Sequence, residues 1–210
     1  MTRRKIALFG GTFDPVHLGH TAVAAAAAEY IGAEKIVFVV TGHSPLKDTL
    51  PIASGVDRLR MTALAIAEHK NFQLSDYELN KAEPSYTLET VRSFQADYGS
   101  NTSIYWLVGA DSVDDLPQWY KIRELLDQCN LCVMYRAGYS RPDFAGFVPL
   151  LGCERVEKLQ QNIIPTPLID ISSTEIRNRL AAGKDVGNML CPAVADYIYK
   201  HGLYQKRLEH

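Results

Sequence analysis

The chain has 210 residues, of which 47% are hydrophobic and 22% charged, and its formal net charge is -2. That is enough for one domain with a substantial core, expected over residues 1–207. The near-neutral balance argues against a nucleic-acid footprint or a polybasic membrane contact. No apolar run is long enough to span a bilayer, and the basic start from Met1 to Lys5 passes at once into strand and turn rather than into a signal peptide, so a cytoplasmic protein is expected. The ending Leu208-Glu209-His210 reads as an expression-tag remnant.

In chain order, Ile6-Ala7-Leu8-Phe9 reads as a buried strand. Gly10-Gly11-Thr12-Phe13-Asp14-Pro15-Val16-His17-Leu18-Gly19-His20 follows, and then an alanine-rich helix from Thr21 to Tyr30 that Gly32 ends. The glycine pair suits close approach of backbone to a ligand. A helix start just beyond it supplies unpaired N–H groups and the positive end of the macrodipole, which suit phosphate. His17 and His20 are three residues apart and would share a face of that helix. Imidazoles at a positive helix end point to an expected anion.

Lys35 to Val40 is a β-branched apolar run suited to a strand buried on both faces, completing a βαβ unit with a right-handed crossover. The loop Thr41 to Asp48 leaves the carboxyl end of that strand, where open α/β sheets bind ligands, so Lys47 is a candidate phosphate or substrate contact, with a solvated loop lysine as the alternative. Asp57 is expected to cap a helix running through His69, with Leu59, Met61, Leu64 and Ala65 on one side and Arg58 in its first turn, facing an anion or a carboxylate. Phe72–Ser75 is a short strand. Residues 76–84 read as loop. Thr87 is the expected N-cap of a helix from Leu88 to about Tyr98, stopped by Gly99.

Ser103–Val108 is the next buried strand, ending at Gly109-Ala110-Asp111-Ser112. A helix is expected from Gln118 to Leu126, with Trp119 as a core anchor or a platform for a planar ring. Leu131–Tyr135 is a further strand. Residues 139–152 look irregular, and 155–162 are polar with a helical reading. Pro165–Ile171 is expected as an edge strand because of its two prolines. Ser172 and Glu175 have capping-box spacing, so a helix starts there. Arg177 then lies close to a positive helix end, where a polyphosphate would compensate it. Gly183 ends that helix, and a last one spans about Pro192 to His201 with Val194, Tyr197 and Ile198 inward. Cys129 and Cys132 bracket a strand start, which favours buried free thiols on opposite faces over a zinc site. The expected fold is α/β: a Rossmann-like, doubly wound, mostly parallel sheet with helices on both faces and a small C-terminal helical part.

The stretch from Gly10 to His20 resembles the GTFDPxHxGH signature of the HxGH nucleotidyltransferases, and Ile171-Ser172-Ser173-Thr174-Glu175-Ile176-Arg177 resembles that family's second signature, ISSTxIR. Asp76-Tyr77-Glu78-Leu79, Pro84-Ser85-Tyr86-Thr87 with Thr90, Leu107-Val108-Gly109-Ala110-Asp111, Trp119 and the ending Val194 to Ile198 with Leu203-Tyr204 resemble the bacterial nicotinate mononucleotide adenylyltransferases. The resemblance implies transfer of AMP from ATP to nicotinate mononucleotide, giving deamido-NAD and pyrophosphate in NAD synthesis. It implies His17, His20 and Arg177 as catalytic residues and Gly10, Gly11, Thr12, Phe13, Gly109, Asp111, Ser173 and Thr174 as ATP-binding ones. Lys47, Thr87 and Trp119 would contact the mononucleotide. No protein metal site is expected; Mg²⁺ would come with ATP. No nucleic-acid or membrane partner is expected, and a homo-oligomer is compatible with the sequence. One departure stands out: the family's Pro-Pro-His-Lys segment is Ser44-Pro45-Leu46-Lys47 here. The competing readings are phosphopantetheine adenylyltransferase or another HxGH enzyme, nicotinamide mononucleotide as the preferred substrate, and a nucleotide-binding regulator without turnover.

Overall fold

The computed structural model describes residues 3–42, 49–82, 84–136 and 140–205. Its elements in order are β1 (Arg4–Gly11), α1 (Leu18–Ile31), β2 (Lys35–Val40), α2 (Gly55–Ile66), β3 (Phe72–Ser75), α3 (Thr87–Tyr98), β4 (Thr102–Gly109), α4 (Ile122–Gln128), β5 (Asn130–Arg136), α5 (Val148–Leu151), α6 (Cys153–Gln161), β6 (Ile163–Thr166), α7 (Ser173–Ala181) and α8 (Pro192–His201). Short 3₁₀ turns occupy 110–112, 116–118 and 145–147. Every adjacent strand pair is parallel, in the order β3-β2-β1-β4-β5-β6. This is the Rossmann order, and its direction of winding reverses between β1 and β4.

Parallel strands covered on both sides need apolar residues on both faces. Alternation along β1 sends Ala7 and Phe9 to one core and Ile6 and Leu8 to the other. On β2, Ile36, Phe38 and Val40 oppose Val37 and Val39 in the same way. The first core is closed by α1, α2, α7 and α8, and the second by α3, α4 and α6. Cys132 joins the first and Cys129 the second, so the two thiols lie on opposite faces, as their spacing predicts. Burial pushes both up to about 12. Among the described residues no helix is long and apolar enough to cross a membrane.

Several boundaries differ from expectation, each for a physical reason. Gly10 and Gly11 end β1 rather than forming a turn, paired in register with Val39 and Val40. The N-cap of α2 is Ser54, not Asp57: the Ser54 hydroxyl accepts from the Asp57 amide at 3.1 Å and donates to the Asp57 carboxylate at 2.6 Å. Tyr86 caps α3, and Thr87 is its first helical residue. The helix expected from Gln118 begins only at Ile122, because Lys121 takes a left-handed conformation (φ 49°). The edge strand β6 spans Ile163–Thr166 instead of Pro165–Ile171; Pro167 has no N–H to extend the ladder. Part of the irregular 139–152 stretch closes into the short turns of 145–147 and α5.

Candidate active site

The carboxyl ends of β1, β2, β4 and β5 and the N-termini of α1 and α7 surround a cavity of about 1210 Å³. Its floor is the first signature. A Cβ at Gly10 would come within 2.5 Å of the Trp106 indole on β4, so only glycine lets strand and ring approach this closely. At Gly11 the obstacle is the Phe13 ring, 2.7 Å from a would-be Cβ. Phe13 itself is buried in a left-handed conformation (φ 48°), a costly geometry for a bulky residue. It is held by edge-on contacts to Phe9 at 5.6 Å and to the His20 ring at 5.1 Å.

His17 is the N-cap of α1 and His20 lies in its first turn. Their rings stack, with centroids 3.7 Å apart. A Cβ at Gly19 would meet the His17 ring at 2.9 Å, so the glycine between the histidines makes room for the stack. The His17 backbone N–H donates to Nδ1 of His20 at 3.2 Å. Nδ1 therefore accepts, and the proton of the neutral ring sits on Nε2. Burial, reinforced by the charge of His17, holds the His20 pKa well below that of an ordinary histidine. His20 is thus held as the neutral ring near neutral pH, a donor through Nε2.

The second signature meets the first directly. Ser172 caps α7 by accepting from the Glu175 amide at 3.1 Å. The Ser173 hydroxyl donates to the Pro15 carbonyl at 2.8 Å. Arg177 donates through Nη1 to the Asp14 carbonyl at 2.7 Å and through Nη2 to the Thr174 hydroxyl at 3.2 Å. Two helix starts separated by some 150 residues therefore share one loop and one cavity. Gly10, Gly11, Thr12, Phe13, His17, His20, Gly109, Asp111, Ser173, Thr174 and Arg177 all line it. Thr87 and Trp119 are not among the described lining residues. Their chain neighbours Tyr86 and Tyr120 pack together, with ring centroids 4.4 Å apart. Lys47 and Leu46 lie outside the described residues.

Three buried residues outside the predicted site hold this arrangement. Asp14 is buried; Oδ1 accepts from the Ala53 amide (3.1 Å) and the Tyr204 hydroxyl (2.6 Å), and Oδ2 from the Ile52 amide (2.7 Å). Arg58, also buried, feels the charge of the Asp14 carboxylate but hydrogen-bonds to backbone. Its Nη1 donates to the carbonyls of Thr12 (2.7 Å) and Thr41 (2.8 Å), clasping the loops that leave β1 and β2. Burial lowers its pKa, while the charge of Asp14 raises it. Glu78, buried below Thr41, accepts from the Thr90 hydroxyl at 2.7 Å; burial raises its pKa against the pull of the Thr90 and Thr41 hydroxyls. Asp14 and Glu78 stand inside recognised motifs, but which backbone groups they would hold depends on loops brought in from elsewhere in the chain.

Residues 8–179 match the model of the cytidylyltransferase-like family. A relative in Neisseria meningitidis serogroup B, named a probable nicotinate-nucleotide adenylyltransferase, is 39% identical over 97% of this chain and 100% of its own length. A relative of the same name in Dehalococcoides mccartyi is 34% identical over 99% of this chain and 100% of its own. Among solved structures, the nicotinic acid mononucleotide adenylyltransferase of Plasmodium falciparum complexed with NaAD superposes with a TM-score of 0.74 at 20% identity, covering 98% of this chain and 100% of that one; it shares the fold. With both signatures facing one cavity and relatives this similar end to end, the chain belongs to the cytidylyltransferase-like nucleotidyltransferases and, within them, to the nicotinate-nucleotide adenylyltransferase family.

Proposed function

We propose that the protein transfers the adenylyl group of ATP to nicotinate mononucleotide, releasing pyrophosphate and forming deamido-NAD. The observation that carries this reading is the convergence of the α1 and α7 starts, with their imidazoles and guanidinium, on a single cavity. A phosphate oxygen of the mononucleotide attacks the α-phosphorus of ATP. The bond from that phosphorus to the bridging oxygen breaks, and pyrophosphate leaves with the electron pair. No protein nucleophile is needed, so catalysis is positioning plus charge stabilisation.

In this reading the Nε2–H of His20 donates to the oxygens that gain charge at the α-phosphate, and the α1 start adds its amides and dipole. Arg177, Ser173 and Thr174 hold the outer phosphates from α7, where a guanidinium fork matches their oxygens. Gly10 and Gly11 let the end of β1 lie against the Trp106 and Phe13 rings beneath the nucleotide, and Gly109 and Asp111 meet its ribose and adenosine portion. Thr87 and Trp119, with Lys47, serve the mononucleotide.

Among the described residues no three histidine, cysteine or carboxylate groups stand close enough to hold a metal. Of the two carboxylates lining the cavity among those residues, Asp14 is occupied by its three donors and Asp111 is exposed. This donor set fits a hydrated ion carried by ATP better than a dedicated cage. Mg²⁺ brought in this way would neutralise phosphate charge, with Asp111 the described carboxylate free to reach its water.

The test is pyrophosphate release from ATP with nicotinate mononucleotide, nicotinamide mononucleotide and phosphopantetheine. Nicotinate mononucleotide is expected to give the highest kcat/KM. A His20→Ala variant, folded by circular dichroism, is expected to lose about 10²–10³-fold in kcat, the scale of deleting one donor to developing charge. Preference for another acceptor, or normal turnover by the variant, would overturn the assignment. The amide form of the ring is the second reading, favoured by Leu46 standing where the family carries histidine.

A further inference from the structure

We infer that Tyr204 is a positioning residue for ATP, acting from the end of the chain through Asp14 on Arg177. The inference rests on the reading of Arg177 as a phosphate contact. The helix α8 ends at Gly202 in the left-handed conformation, and Tyr204 also takes a left-handed turn (φ 61°) that sends its ring back into the first core. A tyrosine adopts that conformation only when its surroundings hold it there. Here the holding contact is its hydroxyl on Asp14 Oδ1 at 2.6 Å, across 190 residues of sequence.

Asp14 is where four parts of the chain meet. Its carboxylate takes the amides of Ile52 and Ala53 and the hydroxyl of Tyr204, and its carbonyl takes Nη1 of Arg177 at 2.7 Å. Three donors tie the Asp14 side chain to residues 52, 53 and 204, so the residue that presents its carbonyl to Arg177 is tethered on three sides. Arg177 is then anchored through Nη1 on the Asp14 carbonyl and Nη2 on the Thr174 hydroxyl, at the wall of the cavity. Arg58 and Arg177 both lie close enough to Tyr204 to act on its hydroxyl electrostatically. Removing the phenol oxygen leaves one acceptor site on Asp14 unfilled and frees the anchor of the arginine, without touching the cavity wall.

The experiment is a double-mutant cycle with Tyr204→Phe and Arg177→Ala, reading KM separately for ATP and for nicotinate mononucleotide. Tyr204→Phe keeps the ring packed and deletes a single hydrogen bond. It is expected to raise the ATP KM about five- to tenfold, the scale of one net hydrogen bond, and to leave the mononucleotide KM within about twofold. In the Arg177→Ala background the same change is expected to move the ATP KM by less than about twofold, because its target is gone. An unchanged ATP KM, an equal rise in both KM values, or the same factor in both backgrounds would overturn the proposal; a loss of stability alone would produce the last of these. Asp14→Asn, which keeps the shape of the side chain, is expected to reproduce the pattern and serves if Tyr204→Phe does not fold. If the wild type turns over no pyridine mononucleotide, the functional reading fails, and the cycle is read instead by calorimetric titration of the four proteins with ATP, where the same non-additivity decides the positioning role.

Discussion

At residue scale, the working form of His20 is the neutral ring. Its Nδ1 is committed to the His17 amide, and burial together with the neighbouring imidazole disfavours a second proton. The positive end of α1 acts in the same direction. The consequence for stability has a definite sign. In the unfolded chain a histidine takes up its proton near pH 6.5, while in the folded chain His20 takes it up only at lower pH. Between those two values the unfolded state binds more protons. The stabilisation is therefore complete above about pH 6.5 and is lost as pH falls toward the folded value. Urea melts of the wild type and of His20→Asn, taken from about pH 7 to about pH 5, are expected to show a steeper loss in the wild type; parallel slopes would mean that the ring is not held neutral by the fold. The signatures made it legible that the histidines, the glycine pair and Arg177 belong to one cavity, because each signature is a contiguous motif. The tasks of Asp14 and Arg58 were not, because each holds backbone groups of segments distant in sequence.

At the scale of elements, the strands were the most legible part. A strand buried on both faces is written in consecutive β-branched residues, as in Lys35–Val40, and no local interaction competes with that pattern. Helix starts were less so, because several side chains within one turn could serve as a cap. Ser54 and Asp57 both suit the position, and the serine takes it because its hydroxyl accepts from the Asp57 amide while donating to the carboxylate. The late start of α4 turns on the left-handed Lys121, which no local residue preference announces. The Cys-x-x-Cys at the α4–β5 junction shows what element placement decides. One thiol faces each core, and burial raises both to about 12. Neither supplies appreciable thiolate near neutrality. Titration with a disulfide reagent at about pH 8 is expected to label the exposed Cys153 rapidly and to reach Cys129 and Cys132 only on unfolding. Rapid labelling of either buried thiol in the native protein would contradict their assignment to the two cores.

At the scale of the whole molecule, the sheet order brings the beginning and end of the chain to the same place. The crossovers from β1 through β3 build one wing and those from β4 through β6 the other, leaving the carboxyl ends of β1 and β4 side by side at the reversal of winding. The chain then returns through α7 and α8 to lay Ser173, Arg177 and Tyr204 against residues 14 and 15. The helix-forming and anion-seeking character of each end was legible separately; that they share one loop follows from the strand order, which local patterns do not encode. A ligand that touches both ends bridges the first and last parts of the sequence, so it should resist global unfolding rather than fraying of one edge. ATP at a hundred times its Kd is expected to stabilise the protein by about 2.7 kcal/mol, which for a chain of this size raises Tm by roughly 5–10 °C. Arg177→Ala, which removes the α7 grip, is expected to lose most of that shift at the same ATP concentration. Scanning calorimetry with and without ATP decides it: a wild-type transition that ATP does not move, or a variant that gains the full shift, would show that the nucleotide does not span the two helix ends.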